Sequence, residues 1–84
     1  MLQASRLRNM KLPRLSGREI IKILSKQGFI VARQKGSHII LVKDSDKGKK
    51  AVVVPNHKEV DKGTLLEIIR QAGLTRDEFL KLIK

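Results

Sequence analysis

Two histidines, His38 and His57, are the side chains in this sequence whose ordinary chemistry is proton transfer near neutral pH. His38 follows Gly36-Ser37 and opens the apolar run Ile39-Ile40-Leu41-Val42. A glycine turn lets backbone and ligand approach closely, and Arg33, Lys35 and Lys43 supply positive charge nearby. A histidine so placed can act as general acid or base. RNA carries its own nucleophile in the 2′-hydroxyl, so a histidine beside a cation suffices to cut it, with no metal. On local features alone a solvated or hydrogen-bonded strand-end histidine is the favoured reading. His57, in Pro55-Asn56-His57-Lys58, reads first as a loop residue that helps cap the following helix, and second as an RNA contact or proton-transfer partner.

Other chemistries lack their residues. There is no cysteine, so neither a disulfide nor a thiolate metal site can form. Two histidines without clustered carboxylates leave no zinc ligand set and call for no cofactor. No nucleophilic serine stands in a G-x-S-x-G setting, and no phosphate-cradling loop occurs. Lys62-Gly63-Thr64 resembles the tail of such a loop, but the upstream glycine is missing and the triplet reads as a helix start. The only aromatic residues, Phe29 and Phe79, take core positions by pattern, which leaves no platform for stacking bases. Recognition then falls to lysine and arginine, reading shape and phosphate as modules that bind double-stranded RNA do. Nineteen Lys and Arg against eight Asp and Glu give a net charge of +11. That charge suits a polyanion: nucleic acid first, then an acidic protein or an anionic membrane surface, with a plain solvated surface as the bland alternative. No stretch approaches the roughly 20 apolar residues of a membrane span, and the first nine residues lack the apolar core of a signal peptide. The expectation is a soluble cytoplasmic protein with no membrane partner.

The elements that must position these residues follow from the pattern. The 84 residues make one small domain. Residues 1–14 read as a basic tail with Arg6, Arg8, Lys11 and Arg14 and no acid, and Met10 is an alternative start. Residues 15–84 form the domain. Ser16 and Glu19 have capping-box spacing, with Leu15 and Ile20 as the staple around it, and Gly28 is a natural stop. This predicts a helix over residues 17–27. Strands are predicted over 29–35, 38–43 and 51–54, with a polar hairpin loop at residues 44–49 and an end at Pro55. The middle strand places His38, Ile40 and Val42 on one face and Ile39 and Leu41 on the other, so it should lie at the sheet centre with His38 at its mouth. Asp61 caps a further helix that stops at Gly73. Thr75 and Glu78 form a second box with Leu74 and Phe79 as staple, and Phe79, Leu82 and Ile83 dock the short helix that follows. The order is α-β-β-β-α-α, an α+β fold with helices covering one face of a three-stranded antiparallel sheet.

Several separated motifs agree in register with one known family. They are Ser16-Gly17-Arg18-Glu19, Gly28-Phe29, Arg33-Gln34-Lys35-Gly36-Ser37-His38, Val54-Pro55-Asn56-His57, Lys62-Gly63-Thr64-Leu65 and Arg70-Gln71-Ala72-Gly73-Leu74-Thr75. From Leu15 to Leu82 the chain resembles the HicA family of toxin ribonucleases from toxin–antitoxin systems. The resemblance implies a double-stranded-RNA-binding-domain-like fold, α-β-β-β-α, with a short extra C-terminal helix. It also implies a metal-independent mRNA interferase that arrests growth and whose active histidine, the one after Gly-Ser, is His38. Arg33, Lys35, Ser37, Lys43 and His57 are then the candidate RNA contacts. A HicB-like antitoxin that covers the active face is the implied partner, beside mRNA. Residues 1–9 are not required by the family pattern. Two other classes remain: a non-catalytic RNA-binding module with the same sheet and charge, and a protein-interaction domain whose basic face serves an acidic partner.

Overall fold

The first helix, α1 (Gly17–Ser25), begins at the cap its sequence supplies. Ser16 Oγ accepts from the Glu19 amide at 3.1 Å, and Glu19 Oε1 accepts from the Ser16 amide at 2.8 Å. In this computed structural model residues 12–83 are described; Arg6, Arg8, Met10 and Lys11 of the basic segment lie outside the described residues. The helix ends two residues short of the predicted boundary. Lys26 to Gly28 continue as a turn, released by Gly28 in the left-handed region at φ +96°.

Three antiparallel strands follow: β1 (Ile30–Lys35), β2 (His38–Ser45) and β3 (Gly48–Pro55), in the spatial order β1-β2-β3. As the pattern requires, β2 is central. The second hairpin is tighter than predicted. Asp44 pairs with Lys49 and Ser45 with Gly48, so the strands run on to a two-residue turn at Asp46-Lys47 in place of the loop expected over residues 44–49. Polar residues can extend a ladder as well as apolar ones when opposite charges stand across from each other. Gly48, at φ +115°, supplies the left-handed conformation this turn needs.

Two more helices follow the sheet. Asp61 caps α2 (Lys62–Gln71) and a Thr75–Glu78 capping box opens α3 (Arg76–Leu82). One core joins them: Ile20 and Leu24 of α1, Leu65 and Ile68 of α2, and Phe79 of α3 pack with Ile39, Leu41, Val52 and Val54. Every sheet residue in that cluster points to the helix side, and among the described residues no helix lies on the opposite face. Leu15 forms an isolated bridge with Val60, and Leu12 packs against the same cluster. β1 departs from the rest of the sheet, for all six of its residues are exposed.

Candidate functional site

His38 stands at the first position of β2, directly opposite Lys35 on β1 and Pro55 on β3. Cross-strand partners project to the same face. Ile39, the next residue, is buried under the helices, so His38 and Lys35 point to the helix-free side. The turn between them is Gly36-Ser37, with Gly36 at φ +60° and no heavy atom within 4 Å of where a side chain would begin. The next row on the same face is Arg33–Ile40–Val53, which sets Arg33 diagonal to His38. Lys35, Ser37, His38 and Arg33 are all exposed. One imidazole and two cations thus share an exposed, basic strand end.

The loop after β3 completes this end of the sheet. The Asn56 amide donates to the Ser37 carbonyl at 2.7 Å, and the Gly17 amide at the start of α1 donates to the His57 carbonyl at 2.9 Å. Residues 55–57 therefore strap the His38 turn to the N-terminus of α1. Gly17 is buried there, and a Cβ on it would collide with the Pro55 carbonyl oxygen. His57 is held by its backbone and its side chain is exposed. Asn56 and Gly17 are the positions that a reading by side-chain chemistry passes over, since both act through backbone. Their signal was the Pro-Asn-His string after a strand and the glycine just inside a capping box.

Lys43 is elsewhere. It pairs with Lys50 on the helix-side face, and its Nζ lies 5.8 Å from the Phe29 ring centroid. Five residues of strand, about 16 Å, separate it from His38. Its stem lies against Gly28, at the end of α1, while the end of the Lys50 side chain crowds Gly73, just past α2. Positive charge at helix C-termini is favourable. The structure thus brings Arg33, Lys35, Ser37, His38 and the His57 loop together and leaves Lys43 on the opposite face.

Among the described residues no group of three or more His, Cys, Asp or Glu is placed to hold a metal ion, and no helix is long and apolar enough to cross a membrane. Compared with known proteins, the chain matches a family model described as the HicA toxin of bacterial toxin–antitoxin systems over residues 17–74. That span holds α1, the whole sheet, α2 and every residue of the His38 end. No curated protein matches the chain.

Proposed function

We propose that this chain, which belongs to the HicA family of toxins from bacterial toxin–antitoxin systems, cuts mRNA in the cytoplasm with His38 as its acid–base group. The observation that carries this reading is the row Lys35–His38 on the open face of the sheet. The imidazole takes the proton of a 2′-hydroxyl, or gives one to the departing 5′-oxygen, while the ammonium of Lys35 balances charge gathering on the phosphate. Attack of the 2′-oxygen on phosphorus breaks the bond to the 5′-oxygen, leaving a 2′,3′-cyclic phosphate on one fragment and a 5′-hydroxyl on the other. The nucleophile comes from the substrate, so the chemistry calls for no metal. Arg33, Ser37 and His57 line the path of the strand as further RNA contacts.

Family membership implies a HicB-like antitoxin as the partner, and the net charge of +11 suits an acidic protein as well as RNA. The test is digestion of RNA by the parent chain and by His38→Ala, with and without EDTA. The reading expects cleavage by the parent in both buffers, cyclic phosphate ends, and intact RNA with the variant. Equal rates for the two proteins would sink it. A parent chain that binds RNA with steep salt dependence yet leaves it whole would be a binding module instead.

A further inference from the structure

The two edges of the sheet are finished differently. On β3 the Val53 amide, which points away from β2, donates to Gln71 Oε1 of α2 at 3.0 Å. Gln71 is itself bonded to Glu67 at 3.3 Å. Two residues on, Pro55 has no amide hydrogen to offer. That edge is closed. Among the described residues no side chain or loop bonds to the outer edge of β1. The two-residue turn makes Lys35 and His38 a hydrogen-bonded pair, so alternation turns the backbone of Gln34 outward. Beyond the irregularity between Val31 and Arg33, Val31 stands opposite Leu41. The tight turn of the second hairpin commits Leu41's own backbone bonds to Val52, so Val31 also faces outward.

The open edge is apolar at one end. Ile30 is 66% exposed and Val31 54%, the two most exposed large hydrophobic residues described. Ile30 shares the His38 face by its pairing with Val42, and Val31 points to the helix side with Leu41. A partner lying on either face covers one of them. Only a segment running along the edge covers both.

We propose that β1 is the docking edge for the antitoxin, which adds an extended acidic strand to the sheet there. The proposal rests on the toxin–antitoxin reading and names the surface involved. Charge selects the occupant. A second copy of this chain would bring its own Arg33 and Lys35, and its net charge of +11, to the same edge. The irregularity at Ala32 also disfavours indiscriminate pairing. A strand with carboxylates opposite Arg33 and Lys35, and apolar side chains over Ile30 and Val31, satisfies both ends. Inhibition then follows from position, because a carboxylate on Lys35 occupies the cation beside His38.

The test is amide hydrogen exchange on the full chain, alone and with a HicB-family antitoxin, together with binding to Ile30→Asp and Val31→Asp. Both substitutions fall on exposed side chains at the far end of β1 from His38. Exchange at Val31 and Gln34 should slow by about tenfold or more in the complex. Each variant should bind the antitoxin at least about tenfold more weakly and cut RNA within about twofold of the parent. The proposal is overturned if the antitoxin fails to bind, if it binds and leaves those amides unprotected, or if RNA protects them instead. Loss of cleavage in the parent would overturn the role of His38 while leaving the edge result standing.

Discussion

Lys35 and His38 close the first hairpin as direct cross-strand partners, on the face of the sheet opposite the buried Ile39 and Leu41. Partners of this kind hold their Cβ atoms roughly 5 Å apart, close enough for an ammonium and an imidazole to meet one phosphate. The register behind this pairing is fixed from below. Ile39 and Leu41 are buried against the helices, and a slip by one residue would turn His38 into the core and those side chains into water. Hydrophobic patterning on one face thus sets the geometry of chemistry on the other.

The first prediction separates the lysines. Lys35→Ala should slow RNA cleavage by about tenfold to a hundredfold, the loss expected when one charge-stabilising donor is removed. Arg33→Ala, one row further along, should cost less. Lys43→Ala should leave the cleavage rate within about twofold, since its ammonium lies over Phe29 on the other face. Single-turnover rates on one RNA would rank the three, and a Lys43 effect as large as that of Lys35 would contradict the assignment of faces.

Gly17 and Gly36 should respond differently to alanine. At Gly36 there is open space and a φ of +60°, so the cost is backbone strain alone, about 1 kcal/mol. At Gly17 the added methyl meets the Pro55 carbonyl oxygen, and backbone cannot yield as a flexible side chain does. Gly17→Ala should cost more, about 1–3 kcal/mol, and should slow cleavage by displacing the His57 loop from α1. Urea unfolding of both variants, read beside their cleavage rates, checks the order.

Much of this was legible in the sequence because local rules dominate there. Both capping boxes, the stop at Gly28 and the central place of β2 follow from spacing and alternation, and the glycine turn before His38 marked the candidate site. Grouping Lys43 with His38 overlooks alternation, since the two are an odd number of residues apart on one strand and so face opposite ways. The exposure of β1 was not legible. Ile30 and Val31 look like any strand interior, and only strand order shows that among the described residues no strand lies beyond them. Nor was the strap from Ser37 through Asn56 and His57 to Gly17, because those bonds join backbone groups far apart in the chain. The length of the second hairpin loop was hidden for a related reason: its polar residues pair with each other.

Acid should loosen α2 through its cap. Thr64 bonds Asp61 with its hydroxyl at 2.7 Å and its amide at 3.1 Å, which holds the carboxyl below its ordinary value of 3.8. Because the folded value is depressed, this contribution is complete above about 3.8 and fades as pH falls through the lower folded value. The pair of Glu67 with Arg70 works in the same direction, the guanidinium bonds holding that carboxyl below 4.5. Urea midpoints at about pH 6 and about pH 3 should therefore differ less in Asp61→Ala than in the parent. An equal acid loss in both proteins would remove Asp61 from the account.

Salt should weaken RNA binding steeply, and the slope should count the cations that touch phosphate. With a net charge of +11, non-specific attraction alone should give a tight complex at low ionic strength. Each neutralised phosphate adds roughly one unit to the slope of log affinity against log salt. Lys35→Ala and Arg33→Ala should each reduce that slope by about 1, whereas Lys43→Ala should leave it unchanged. The measurement is best made in a His38→Ala background, so that the RNA survives the titration, and His38→Ala should bind as the parent does. Exposed at a strand end, His38 adds little to packing. A His38→Ala protein that lost both cleavage and binding would mean that the histidine holds RNA and does not transfer protons.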